Sequence, residues 1–203
     1  MKITSLLKLT LIIVLLPAFG YSQTAKEHAA SGIAKSKNKD YEGAIAEYTK
    51  SIELDGSQAN VFYNRALAKG RVNDFEGAIA DFSEALKLKA DPDTYYNRAL
   101  MKVEVKDYRG TIDDLNKAYE AKKDIPTYFY LRGNCKFLLA DYKSAIPDFD
   151  KAIELKPEYG KAYLFRGLTY LNLKDKDKAC PDLIKAKELN ITQADEFIQK
   201  YCK

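Results

Sequence analysis

The stretch Asp40-Tyr41-Glu42-Gly43-Ala44-Ile45 decides the fold, because variants of it return at a nearly fixed interval along the chain. The later copies read Asp74-Phe75-Glu76-Gly77-Ala78-Ile79, Asp107-Tyr108-Arg109-Gly110-Thr111-Ile112, Asp141-Tyr142-Lys143-Ser144-Ala145-Ile146 and Asp175-Lys176-Asp177-Lys178-Ala179-Cys180. The aspartates that open successive copies are 34, 33, 34 and 34 residues apart. Such a period indicates stacked supersecondary units, each of which needs a neighbour to bury its apolar face.

Each repeat is predicted to hold two amphipathic helices, because apolar residues recur at i, i+3, i+4 and i+7. In the second repeat the first helix is expected near Asn60 to Arg71, and its partner near Phe75 to Lys87. Asp74 stands where an N-cap belongs, and its equivalents take that place in all five units. Along the first helices a large ring such as Phe62 is followed four residues later by a small residue such as Ala66, which permits close helix packing.

This alternation of small and large residues resembles the tetratricopeptide repeat family, over nearly the whole chain beyond the first 22 residues. The resemblance implies an all-α fold, a right-handed α-solenoid of five antiparallel helix pairs whose concave side is lined mainly by the first helices. The repeats are predicted at 25–58, 59–91, 92–125, 126–159 and 160–193, followed by a capping helix at 194–203. The cap is expected because the last repeat would otherwise expose its apolar flank.

Arginines recur three residues after the ring position, as Arg65, Arg98, Arg132 and Arg166. The second helix of each preceding repeat offers an acid, in order Glu47, Asp81, Asp114 and Asp148. An unpaired buried charge is costly, so this pattern predicts a ladder of Arg–carboxylate bridges between successive repeats. The alternative is that each arginine reaches water.

Residues 1–22 have the composition of a signal peptide. Lys2 and Lys8 supply the positive end, residues 9–16 are an apolar run, and cleavage is expected after Gly20 or Ser22. The predicted localisation is therefore exported, periplasmic or secreted, with no membrane insertion after cleavage. The alternative is an uncleaved anchor, although the interrupted apolar stretch is shorter than the ~20 residues that span a bilayer.

Two of the three cysteines lie near the predicted cap. Cys180 takes a position that is isoleucine in the other repeats, and Cys202 lies on the apolar stripe of the cap. In an exported protein these two residues are expected to form a disulfide. The alternative is a pair of small buried hydrophobic side chains. Cys135 is left for packing.

Signals for catalysis, metal or cofactor binding are lacking in the sequence. The one histidine, His28, occupies the ring position of the first repeat, where packing is its expected role. The cysteines are far apart, and neither a Gly-rich phosphate loop nor a nucleophile turn occurs. The 33 basic and 29 acidic residues are interspersed, whereas a nucleic-acid binder shows a concentrated basic stripe. The sequence therefore predicts no enzyme, no cofactor and no nucleic-acid partner.

The candidate binding site is the face of the first helices opposite the ring position. Its residues are aromatic, apolar and amide side chains with two basic ones: Tyr63, Asn64, Leu67, Arg71, Tyr96, Asn97, Leu100, Tyr130, Asn134, Lys161 and Phe165. Rings supply contact area at low entropic cost, and asparagine pairs with the amides of an extended peptide. The alternative for these rings is packing between repeats.

The resemblance implies more about the kind of peptide. In family members that grip a terminal carboxylate, a Lys/Asn/Asn/Lys/Arg set lines the groove. Here Asn64 and Asn97 match the middle Asn place and Lys161 one basic place, but no three consecutive repeats complete the set. We therefore expect an exported adaptor that binds an internal peptide or protein segment in the groove. The alternative function is a structural subunit of an envelope complex, or a homo-oligomer, associating through the convex face or the ends.

Overall fold

A computed structural model describes residues 24–202, and this part of the chain forms eleven α-helices and no strand. Helix α1 covers residues 24–37. The others are α2 (Tyr41–Leu54), α3 (Ala59–Arg71), α4 (Phe75–Leu88), α5 (Pro92–Glu104), α6 (Tyr108–Ala121), α7 (Pro126–Leu138), α8 (Tyr142–Leu155), α9 (Gly160–Asn172), α10 (Lys176–Glu188) and α11 (Ala194–Tyr201). The all-α class predicted from the period is confirmed, while the predicted leader and its cleavage sites lie outside the described residues.

An aspartate caps every second helix, as the repeated motif predicted. The carboxylate accepts a hydrogen bond from the backbone amide three residues later, at 3.0 Å from Gly43 to Asp40 and 3.4 Å from Ser144 to Asp141. The same contact opens α4, α6 and α10. These bonds satisfy amides that the first turn of a helix leaves without intrahelical partners.

A left-handed residue precedes each of these caps and ends the first helix. The five residues are not glycines: Lys39, Asn73, Lys106, Ala140 and Lys174, with φ between 59° and 63°. The amide of the following aspartate reaches back to the first helix, for example from Asp141 to the Lys136 carbonyl at 2.9 Å. Two helices are thereby joined by only three residues, so they must pack against each other as a hairpin.

The chain divides into two compact units, and unit 1 ends at Ala90. In its described part, α1 to α4 form two hairpins around the buried side chains of Tyr48, Val61 and Phe82. A Cβ atom added to Gly32 would lie 2.6 Å from the Tyr48 ring, so glycine is required where this ring crosses α1. The alternation of small and large residues is thus the device that brings α1 and α2 together.

Unit 2 runs from Asp91 and contains three hairpins and α11. Leu115, Phe149 and Leu183 are the fully buried large side chains of its second helices. They occupy the position that Tyr48 and Phe82 hold in unit 1. The same packing pattern therefore builds both units.

The predicted arginine ladder is wrong in its choice of acid. Each arginine pairs with the aspartate 16 residues later, in the second helix of its own repeat. The Nη2–carboxylate distances are 2.7, 2.6, 2.5 and 2.7 Å for Arg65–Asp81, Arg98–Asp114, Arg132–Asp148 and Arg166–Asp182. The reason is the antiparallel hairpin, which places positions 16 residues apart directly across its own helix–helix seam. Glu47, the acid predicted for Arg65, instead lies 2.7 Å from His28 Nδ1.

Contacts between repeats are made by the other end of the guanidinium group. Nη1 donates to a polar side chain 16 residues earlier, to Thr49 from Arg65, to Asn116 from Arg132 and to Asp150 from Arg166. Each of these three arginines therefore bridges its own hairpin to the preceding one in the same unit. The ring position supports them, because each guanidinium lies 5.4–5.7 Å from the ring centroid three residues before it.

Helix α11 covers the apolar flank of the last hairpin. Ala194 is fully buried, and Phe197 and Ile198 pack in the same cluster as Leu164 and Leu183. A disulfide joins Cys180 of α10 to Cys202, directly after α11. Cys135 is a free, buried thiol in α7, and burial raises its pKa to about 11. Among residues 24–202, no helix is long and apolar enough to cross a membrane.

Candidate functional site

The eleven predicted site residues all lie on first helices of the hairpins, and they fall into two sets. We call Tyr63, Asn64, Leu67 and Arg71 of α3, with the α1 residues beside them, the unit 1 face. We call Tyr96, Asn97 and Leu100 of α5, Tyr130 and Asn134 of α7, and Lys161 and Phe165 of α9 the unit 2 face.

The unit 1 face contains an open crevice of about 300 Å³ between α1 and α3. Asn64, Leu67 and Arg71 line it, together with Ala68. Tyr63 does not, because its ring packs edge-on against Phe82 with centroids 5.6 Å apart. Three of the four residues predicted on α3 are therefore brought together around one cavity.

Half of the crevice wall was missed by the sequence reasoning. It consists of Ile33, Ser36 and Lys37 at the end of α1, with Tyr41 and Tyr48 of α2. The repeat itself carried the signal, since Ile33 and Lys37 stand 34 residues before Leu67 and Arg71. Extending the predicted face to the first repeat would have identified both.

The crevice is apolar in its middle and positive at its rim. Ile33 and Leu67 each expose 38% of their surface. Lys37 and Arg71 are the only charged residues that line the crevice, and neither forms an ion pair within residues 24–202. In the same stretch of chain, the Asn64 carboxamide has no hydrogen-bond partner, so it remains available to a ligand.

Aromatic rings dominate the unit 2 face. The Tyr130 ring lies 5.0 Å from Tyr159 and 6.0 Å from Phe165, and the Tyr96 ring lies 5.1 Å from Tyr128. Burial raises the pKa of Tyr130 to about 12 and also raises the pKa of Tyr159. These tyrosines therefore stay neutral at physiological pH and present ring surface and hydroxyl groups.

Packing accounts for part of the unit 2 face. Phe165 contacts the rings of Phe137 and Phe149 as well as Tyr130, so it joins α9 to the hairpin before it. Asn97 donates its amide to the Asp93 carbonyl in its own helix at 2.8 Å. Leu100 is half-buried, whereas Lys161 is exposed.

Asn134 differs from the other predicted residues because its Oδ1 atom is buried and accepts no hydrogen bond from any described residue. The residue lies one turn after Tyr130 on α7. A buried carbonyl oxygen without a donor costs roughly 1–3 kcal/mol. An N–H group from a bound segment would offset this cost.

Residues that could hold a metal do not converge in the described chain. No group of three His, Cys, Asp or Glu side chains is placed to bind an ion between residues 24 and 202. His28, the one histidine, is engaged with Glu47, whose pKa its hydrogen bond lowers. The arrangement supports contact chemistry, namely ring surfaces, amides and two exposed cations.

Family comparisons agree with the repeat pattern. Sequence models of the tetratricopeptide repeat match residues 29–58, 59–92, 126–159 and 160–190, together more than half of the chain. No curated protein sequence matches the chain significantly.

Solved structures of similar fold are numerous. A MamA crystal structure aligns with a TM-score of 0.78 and 22% identity, covering 88% of this chain and 96% of that one. MamA from Desulfovibrio magneticus RS-1 aligns with a TM-score of 0.77 and 20% identity, covering 84% and 97%. YrrB, described as a TPR protein with an unusual peptide-binding site, aligns with a TM-score of 0.79 and 21% identity, covering 90% and 99%. At these identities the likeness shows the fold alone, an all-α repeat solenoid.

Proposed function

The chain belongs to the tetratricopeptide repeat family, and from this premise we propose that it is a non-enzymatic adaptor that holds a segment of a partner protein. Proteins of this family bind protein or peptide partners. The proposed site is the concave groove formed by the first helices, and the proposed ligand is an internal peptide segment.

The observation that carries this proposal is the unpartnered Oδ1 atom of Asn134 beside the rings of the unit 2 face. A buried acceptor without a donor is rare in folded proteins and calls for an explanation. A backbone amide of an extended segment is the simplest donor, because each residue of the segment except proline carries one. The neighbouring Tyr130 and Tyr96 offer amphipathic ring surface to the same segment.

The test compares two variants of equal size. The face variant carries Tyr96→Ala with Asn134→Leu, and the control carries Asp113→Ala with Glu120→Ala, two exposed residues of the second helix α6. Circular dichroism checks that both fold. Each protein is used to capture partners from the native envelope fraction, and hydrogen exchange then locates the partner's footprint on the wild type.

We expect the face variant to lose partners that the control keeps, with protection in α5, α7 and α9. A partner kept by the face variant and lost by the control would overturn groove binding. That result would favour the alternative, a structural subunit that associates through its second helices or its ends.

We further propose that the protein is exported. The leader-like residues 1–22 and the Cys180–Cys202 disulfide support this, since disulfides persist in oxidising compartments. Fractionation of the native cells and N-terminal sequencing test it. A chain found in the cytosol with residues 1–22 intact would overturn the proposal.

A further inference from the structure

We infer that the crevice of the unit 1 face recognises an internal acidic–apolar motif, in which a Leu, Ile or Phe side chain adjoins an Asp or Glu. This inference rests on the proposed function and names the chemical class of its ligand. It concerns a set of residues separate from Tyr96 and Asn134, so the two ideas can fail independently.

The size and polarity of the crevice set the apolar part of the motif. A volume of about 300 Å³ is at the small end of ligand pockets, enough for one large side chain in an open setting. Ile33 and Leu67 face this space from two neighbouring first helices, and both are more exposed than a packing role needs. A side chain laid between them would remove apolar surface of both from water.

The charges at the rim set the acidic part. Lys37 and Arg71 are the last residues of α1 and α3, and no carboxylate lines the crevice with them. Helix C-termini attract cations, but each carries only about half a negative charge, so a net positive charge remains at this rim. The other first-helix cations of the unit differ, because Arg65 and Lys69 are both committed to Asp81.

The neighbouring polar groups complete the fit to an extended segment. The Asn64 carboxamide can pair with a peptide group, as both donor and acceptor. Ser36 Oγ and Tyr48 Oη, 3.5 Å apart, lie on the opposite wall. An ion pair at an exposed rim adds little affinity but suppresses unsuitable partners, so the acidic residue acts mainly in specificity.

The experiment selects short random peptides displayed within a loop of a carrier, so that no free carboxyl terminus is present. The baits are the full chain, the variant Lys37→Gln with Arg71→Gln, and the variant Leu67→Ser. A matched control, Lys26→Gln with Lys89→Gln, removes the same charge from exposed positions that do not line the crevice. The variant Tyr96→Ala with Asn134→Leu serves as a fifth bait.

We expect the wild type and the Lys26/Lys89 control to enrich peptides in which an acidic residue adjoins an apolar one. The Lys37/Arg71 variant should lose the acidic preference and bind a selected peptide about fivefold more weakly, the scale of losing two exposed ion pairs. Added salt should weaken wild-type binding to the same peptide and leave that variant unchanged. Leu67→Ser should lose the apolar preference instead.

Other outcomes overturn the inference and are distinguishable. An unchanged acidic preference in the Lys37/Arg71 variant removes the crevice from recognition. Enrichment abolished only by the Tyr96/Asn134 bait leaves the proposed function standing without this inference. Enrichment that appears only when peptides end in a free carboxylate shows a terminal-carboxylate receptor, and no enrichment on any bait contradicts both ideas.

Discussion

At the scale of single residues, the molecule is organised around buried aspartates that each receive two cations. Asp114 exposes only 2% of its side chain, and it accepts from Arg98 at 2.6 Å and from Lys102 at 2.9 Å. Asp81 and Asp148 have the same pair of partners at the same spacings. The energy of such a site depends on keeping all three charges together.

Replacing Asp114 by asparagine should lower the free energy of unfolding by about 3–5 kcal/mol, because Arg98 and Lys102 would keep buried positive charge without a carboxylate. Denaturant titration of the full chain measures this. The control is Glu154→Gln, which breaks the exposed Lys151–Glu154 pair and should cost less than about 1 kcal/mol. Equal losses in both variants would mean that the buried triad has no special weight.

A second residue-scale prediction concerns alkaline pH. Burial raises the pKa of Tyr130 to about 12, whereas an unfolded tyrosine ionises near pH 10. A raised pKa stabilises the fold fully below pH 10, and this contribution is lost as the pH rises from 10 towards 12. Denaturation midpoints of wild type and Tyr130→Phe should therefore run parallel from pH 7 to 9 and converge above pH 10. Curves that stay parallel to pH 12 would contradict the buried, neutral phenol.

At the scale of elements, the hairpin turn repeats a left-handed residue that is never glycine. Ala140, with φ of 59°, has no side-chain hydrogen bond to offset this conformation. Ala140→Gly should therefore raise the free energy of unfolding by about 0.5–1 kcal/mol, the steric relief less the entropy of the added glycine.

The matched control for this turn is Ala80→Gly, at an exposed position inside α4. There the same substitution should lower the free energy of unfolding by about 1 kcal/mol, because glycine disfavours a helix interior. Thermal or urea unfolding measures both variants. Destabilisation by both would show that the turn carries no strain.

The elements were the most predictable part of the structure. The motif around Asp74 predicted both the cap and the start of its helix, since capping depends on local chain geometry alone. The arginine partners were not predictable in the same way. Arg65 had an acid available in both adjoining second helices, and only the crossing of α3 and α4 selects Asp81 over Glu47.

The candidate site was predicted in part for a similar reason. Leu67 and Arg71 were found because they lie opposite the ring position, which periodicity reveals. Lys37 was missed because the face was traced from the second repeat onwards. The role of Phe165 depends on three ring contacts in space, and no single-sequence pattern distinguishes them from a ligand surface.

At the scale of the whole molecule, repeats contact mainly their neighbours, so stability is expected to be local. Removing the Cys180–Cys202 bond with two serines should destabilise the end of the chain by about 3 kcal/mol, for a loop of 22 residues. Hydrogen exchange should show the largest loss of protection in α9 to α11, with little change in α1 to α4. A uniform loss over residues 24–202 would indicate one cooperative block instead.

The arginine that spans two hairpins also makes their order matter. Arg166 finds the carboxylate of Asp150 in the hairpin before it, whereas Arg132 finds the neutral Asn116 and Arg65 the hydroxyl of Thr49. Exchanging two repeats by circular shuffling would leave one guanidinium without its anion and one anion without its guanidinium. Although the units look alike in outline, their sequence along the chain is therefore directional, and a shuffled protein should melt at lower temperature than its parent.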